Sequence, residues 1–448
     1  MNKHHEPTGH TEDHQVTLRG PAELADALPY MLGYHPTDSV VMVALHGSRG
    51  RFGGRVRLGI PHSPNEWPPV ARQLAQCLIE GGGRRGKRPD GIVLFLCQDP
   101  ADGESPRRVM ERLRPFAQRL RAACGALDVP VYEALCISGG RFWSYCCPDE
   151  RCCPAEGNAL AVSGTSVMAA AAAYAGVQVR GSLRDMEARF EPLTSQAAGD
   201  QRKALDRVAA AVVPRILDRE GRRRVAEETI ALAHALMARF AGAPSGPDRL
   251  AADRADDLLI THDEAAAVIL GLQDRQTRDR GAEWMEGPEA ETALRLWRAL
   301  SRRCVGPYAE HAAAPLTLAG WVSWSVGDEP AARVALGLAL SRDPEYVFAR
   351  LLHQACNDGL DPELLRDSLR AEREGRRTQE AGPGRGEQGG VRVPGATAGR
   401  RGGTRARRRP AAAGRAPRPA RTRPAGTRGN GRRRGARSGQ EERRSGRR

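Results

Sequence analysis

Residues 28–45 read LPYMLGYHPTDSVVMVAL, and the apolar run Ser39–Leu45 within them sets the fold class. Seven residues rich in Val with no charge suit a strand covered on both faces. Upstream, Pro21 fits the first turn of a short amphipathic helix with Ala22, Leu24, Ala25 and Leu28, expected to stop at Pro29. Gly33, Pro36 and Asp38 then predict a turn. Downstream, Arg55–Ile60 alternates basic and apolar residues, as a strand paired to the first would, across the Gly-rich turn GSRGRFGG (47–54). Trp67–Glu80 has helical spacing and is closed by Gly81-Gly82-Gly83. GIVLFLC (91–97) is a second buried strand, Glu104–Cys124 a helix, VYEALCIS (131–138) a third strand, and Gly139-Gly140 turns it into RFWSY. Strands interleaved with amphipathic helices imply an α/β sheet with helices packed on it.

From residue 164 the periodicity is helical, over 164–175, 200–217, 222–240, 262–272, 288–303, 312–326, 330–341, 345–356 and 361–373. Asp263, Asp328 and Asp361 stand where N-caps belong, and GAPSGPD (242–248) is the expected joint. Ala159–Val179 is uncharged, but its Ala, Ser, Thr and Gly content drives lipid insertion weakly, so a buried helix is expected there and no membrane association. Gly320, Gly327, Ala332, Leu336, Ala339 and Pro344 fall at the spacing of one tetratricopeptide-like helix hairpin. No copy lies 34 residues away, so a solenoid is not expected.

The formal charge of the 448-residue chain, +15, is unevenly placed. Gly375–Arg448 holds 23 Arg and 4 Glu with no Lys or Asp, hence +19, so the other 374 residues carry −4. That tail has two large apolar side chains, Val391 and Val393, and its composition predicts disorder. A GC-rich region read out of frame would have the same composition. Nucleic-acid binding by the tail would be electrostatic, without base readout. The first fifteen residues are polar and expected to be flexible. They carry no apolar core of a secretory leader, so a reducing cytoplasm is the expected setting.

Reactive side chains concentrate in RFWSYCCPDERCCPAEG (141–157). Cys147 and Cys152, with Cys153 beside them and Cys146 as a further candidate, approach the spacing of zinc ligand pairs. A fourth ligand would come from His35, His62 or another cysteine. Two other readings stay open: a reactive thiol pair near Arg141 and Arg151, and small buried hydrophobes on a tight turn. His35, Asp38 and Ser39 offer a base, a carboxylate and a nucleophile in one turn, although both Asp38 and Ser39 also suit hydrogen bonds to the turn backbone. GSRGRFGG and GGGRRGKR (81–88) fit neither a P-loop nor a dinucleotide fingerprint, and no HExxH or GxSxG occurs.

The stretches 28–45, RVRLGIP (55–61), 141–157, VRGSLRDMEARFEP (179–192) and LAGWVSWSVGDEPAARVALGLALSRDPEYVFARLL (318–352) together resemble the actinobacterial domain of unknown function 4192. The resemblance covers nearly all of 16–372 and implies no established activity. Its cysteine pattern, C-x4-C-C-P, lands on Cys147, Cys152 and Cys153 and leaves Cys146 as an extra. The expected organisation is an α/β domain at 16–160, an all-α domain at 164–373 and a disordered Arg/Gly-rich tail at 375–448. The leading functional expectation is a non-catalytic binding or scaffold protein with a structural or zinc-holding Cys loop and a helical partner surface. The alternatives are a thiol-dependent or hydrolytic enzyme using Cys147, Cys152 or Cys153 with His35 and Asp38, and nucleic-acid binding through the tail.

Overall fold

The computed structural model describes Leu18 and residues 20–81, 88–161, 164–243 and 248–380. The expected flexible residues 1–15, most of GGGRRGKR, the centre of the GAPSGPD joint and the tail from 381 onward lie outside them. Contacts divide the chain into one unit at 1–382 and another at 383–448, so the sheet and the helices described below belong to the same unit.

Six strands, β1 (Ser39–His46), β2 (Arg51–Gly59), β3 (Gly91–Cys97), β4 (Val131–Ser138), β5 (Arg141–Ser144) and β6 (Asn158–Ala159), form one sheet of order β2-β1-β3-β4-β5-β6. Only β3 and β4 pair in parallel, and the crossover between them contains a helix; every other pair is antiparallel. β1 and β3 are interior neighbours, and the apolar run of each is buried on both faces. The hairpin turn is shorter than expected. His46 already pairs with Arg51, so Phe52, Gly53 and Gly54 belong to the strand.

Helices α1 (Pro21–Leu32), α2 (Trp67–Gly81) and α3 (Pro106–Gly125) are built from the N-terminal sequence. α2 and α3 cover one face, where Leu74, Leu78, Val109, Leu113 and Phe116 meet Val40, Met42, Leu94 and Leu96. α1 runs past Pro29 and ends at Gly33, which caps it in the left-handed region at φ 83°. A Cβ there would also collide with the Pro330 ring.

The rest of the unit is helical: α4 (Val167–Tyr174), α5 (Leu183–Ala188), α6 (Ser195–Ile216), α7 (Arg219–Ala241), α8 (Arg249–Leu258), α9 (His262–Gly271), α10 (Arg275–Gly281), α11 (Gly287–Arg302), α12 (Ala313–Ser325), α13 (Glu329–Arg342), α14 (Val347–Asn357) and α15 (Glu363–Glu380). The second face of the sheet is closed jointly. α1 covers it with Leu28 and Leu32, while α5 and α13 add Leu183, Met186 and Val334 against Val41, Val43 and Phe95. α12 is apolar on all sides and all 13 of its residues are buried, as such a helix requires. It lies against α13, and a Cβ on Gly320 would come within 2.6 Å of Leu336, so the two helices approach as closely as a glycine allows.

Several expectations are corrected. The 159–179 stretch gives only the two-turn α4, with Val167 and Tyr174 both 79% exposed, because its alanines offer little area to bury. No helix among the described residues is long and apolar enough to cross a membrane. Thr261, not Asp263, caps α9 through a capping box with Glu264, whereas Asp328 does cap α13. α15 continues to Glu380, beyond the expected end at 373, because Arg373 and Arg376 pair with Glu289 and Glu283.

Candidate metal centre

The Cys-rich loop leaves β5 and returns as β6. Ser144 shapes its start. The Ser144 hydroxyl donates to Glu133 at 2.7 Å and accepts the backbone N–H groups of Cys146 and Cys147 at 3.1 and 3.0 Å. At the tip, the Asp149 carbonyl accepts from the backbone N–H groups of Cys152 and Cys153, and its carboxylate accepts the Arg151 N–H at 2.9 Å. Asn158 donates to the Cys152 carbonyl at 2.9 Å, and the Trp143 indole donates to that of Ala155 at 3.2 Å. Gly157, at φ 78°, leaves room for the Trp143 ring.

This framework brings three of the four loop thiols together. The sulfurs of Cys147, Cys152 and Cys153 all lie within 4.8 Å of one another, with Cys147–Cys152 at 2.8 Å and Cys152–Cys153 at 3.9 Å. Tetrahedral zinc with bonds of about 2.3 Å needs sulfur separations of about 3.8 Å, so the second edge fits and the first must open by about 1 Å. A soft, all-sulfur donor set suits zinc or another thiophilic ion. Among the described residues no histidine or carboxylate joins the group, so neither His35 nor His62 supplies a fourth ligand. Cys146 turns away and packs against the α2/α3 core, where burial and then Glu133 raise its pKa.

The three thiols differ in acidity. The hydrogen bond from Cys152 lowers the Cys147 pKa, and the same contact raises that of Cys152. Burial, then its hydrogen bonds to the other two, pushes Cys153 up to about 12. Of the three, Cys147 is therefore the first to give up its proton.

The turn that carries the other candidates is used structurally. The His35 side chain is exposed, and its backbone is hydrogen-bonded to Gly181 and Leu183 at 2.9 Å each, tying the turn to α5. The Asp38 carboxylate, on a backbone at φ 46°, accepts from Gln98 at 3.1 Å and from Arg184 at 2.9 Å. Ser39 is buried. Its hydroxyl donates to the Thr37 carbonyl at 2.6 Å and accepts from Arg57 at 3.0 Å. Among the described residues no hydrogen bond joins His35 to Asp38 or Ser39. Ser39 stands level with Phe142 across β3 and β4, three strand spacings or about 14 Å away, and the cysteines lie further on, beyond the far end of β5. The turn and the loop do not converge.

A second concentration of chemistry escapes the sequence reading. Arg295 and Arg302 on α11, with Arg303 just after it, face Asp256 and Asp257 on α8, and Arg189 forks onto Asp253 at 2.6 and 2.9 Å. Arg295 reaches Asp256 at 2.6 Å and Arg302 reaches Asp257 at 2.9 Å. Arg303 donates to Gln201 and to the Ile260 carbonyl. Charges at such spacing usually mark a solvated helix face, and only the Asp cluster at 253–257 opposite them signals otherwise.

Residues 21–363 match the domain of unknown function DUF4192. The chain belongs to that family. The DUF4192 match encloses the whole sheet, the cysteine loop and the α8–α11 interface. No curated protein and no solved structure matches the chain.

Proposed function

We propose that this DUF4192 protein is a non-catalytic binding protein of the reducing cytoplasm whose 147–153 loop holds one zinc ion. The observation that carries the reading is the convergence of the Cys147, Cys152 and Cys153 sulfurs within 4.8 Å on a loop held by Ser144, Asp149 and Asn158. Zinc there would cross-link the β5–β6 return and relieve the crowding of Cys147 on Cys152, with water or a partner's ligand in the fourth position. A thiol enzyme built with His35 and Asp38 has less support, because that turn is engaged with Gln98, Arg184 and α5.

The helices would provide the partner surface. Val347 and Leu351, one turn apart on α14, are exposed, as are Leu360 and Leu364 after it. The close approach at Gly320 and the buried Ala332 and Ala339 support reading α12–α13 as a tetratricopeptide-like pair behind that surface. The Arg-rich tail would add salt-sensitive nucleic-acid affinity.

The test is elemental analysis of protein purified under reducing conditions without chelator. Wild type should carry up to one equivalent of zinc, Cys152→Ser should lose it, and Cys146→Ser should keep it. Metal-free wild type with all three loop thiols freely titratable would remove the reading. For the surface, a partner retained equally by wild type and Leu351→Glu would place binding elsewhere.

A further inference from the structure

α5, α8, α11, α12 and α13 line a cleft of about 680 Å³ that is open to solvent on one side, and the cysteine loop contributes no wall to it. Part of its lining is apolar, from Met186, Phe190, Leu294, Val322 and Val334. The remainder is charged, and three of its four cations are engaged. Arg180 pairs with Asp328 at 3.3 Å, Arg189 forks onto Asp253, and Arg249 donates to the Arg180 carbonyl at 3.2 Å.

Arg298 is the exception. Among the described residues its guanidinium has no hydrogen bond and no ion pair, and its Nε is sealed from solvent without a partner. It stands over the Phe190 ring, whose centre lies 6.0 Å away. Burial, reinforced by the nearby Arg189, pulls its pKa down to about 9. A guanidinium does not surrender its proton in proteins, so this describes a desolvated cation that Asp253 and Asp328 offset only in part and without a direct contact. Three of the wall's carboxylates are committed to backbone N–H groups at helix starts, Asp185 to Ser182, Asp248 to Ala251 and Asp328 to Ala331.

We propose that the cleft binds a small monocarboxylate with an apolar body, its carboxylate on Arg298 and its body against Phe190, Leu294 and Val322. A fork of N–H donors with no acceptor is the usual partner of a carboxylate. The volume lies within the range of small-molecule sites. One free cation in a wall that also holds Asp185, Asp248, Glu291 and Asp328 matches a single negative charge and repels a dianion such as a phosphate monoester. The assignment is independent of the cysteine loop.

Calorimetric titration and thermal melting of the full chain test it, with octanoate and 4-phenylbutyrate as probes, octanol and 4-phenylbutanol as neutral counterparts, and inorganic phosphate. At least one carboxylate should bind and raise the melting temperature, and its alcohol should bind roughly tenfold or more weakly, the scale of a hydrogen bond to a charged group. Arg298→Met should weaken the carboxylate by roughly 10- to 100-fold, while the ligand-free variant melts no lower than wild type, since a desolvated cation without a direct partner has been removed. Leu294→Trp, which fills the apolar part and leaves Arg298 in place, should also abolish binding. The proposal is overturned if neither carboxylate binds wild type, if acid and alcohol bind alike, or if Arg298→Met keeps the wild-type affinity. Phosphate binding more tightly than both carboxylates would overturn the monoanion assignment. Should Arg298→Met fail to fold, the acid–alcohol contrast and Leu294→Trp decide.

Discussion

Replacing Asp253 with Ala should be among the most damaging single changes in the helical core. Its side chain is 5% exposed and is gripped by both arms of Arg189, with Arg302 a further 3.8 Å away. Removing one partner of a buried ion pair costs about 3–5 kcal/mol, because the other charge is left stranded. Arg189 keeps 17% of its side chain in contact with water, which places the expectation near the lower end, at about 3 kcal/mol. Arg189→Met should cost less, since Asp253 would still face Arg302. The pair Asp253→Leu with Arg189→Met should recover most of the loss, because apolar replacement of a whole buried pair is neutral or stabilising by about 1–4 kcal/mol. Urea denaturation followed by tryptophan fluorescence reads this region, as Trp284, Trp297, Trp321 and Trp324 are all buried in the same core. A cost for Asp253→Ala below about 1 kcal/mol, the value of a surface pair, would refute the argument that this interface is dry.

Zinc uptake by the apo protein should release more than one proton and weaken steeply on acidification, because Cys152 and Cys153 are held protonated while only Cys147 is acidified; uptake independent of pH would contradict the assigned ligands. Ala332→Leu should lower stability by roughly 1–3 kcal/mol by overpacking the α12–α13 contact, and an unchanged urea midpoint would mean that contact yields freely. Truncation after Glu380 should leave melting unchanged, whereas truncation after Glu374 removes Arg376 and strands Glu283, whose pKa burial already raises. A raised carboxyl contributes stability below its unfolded value and loses it as pH rises through the native one, so the shorter chain should be weaker at neutral pH and regain ground on acidification; equal melting of the two truncations across pH would exclude a role for that ion pair.

Much of the sheet can be read from the sequence, because a run such as 91–97 with no polar residue has few alternatives to a doubly covered strand. The long helices follow from their spacing, and α12 from its lack of any polar face. α5, α8 and α10 were missed for a common reason. They are six to ten residues long, too short to repeat an apolar stripe, and α8 is held by ion pairs to Arg189, Arg295 and Arg302 instead. At the cysteine loop, spacing alone picks out Cys147, Cys152 and Cys153, but the inward turn of Cys146 depends on the Ser144–Glu133 hydrogen bond, which joins residues eleven apart. Arg298 was illegible. Its neighbours Arg295 and Arg302 find aspartates and it does not, and that difference exists only once α8 is laid against α11.

The joint covering of the second sheet face has a bearing on how the chain is made. When synthesis has passed β6, all six strands can pair, yet Leu183, Met186 and Val334 have not been added to cover Val41, Val43 and Phe95. The partner for Gly33 arrives nearly three hundred residues later, as Pro330. A nascent sheet therefore waits with an oily face through much of translation, at about 5–20 residues per second, and a fragment ending near residue 160 should depend on a chaperone to stay out of aggregates.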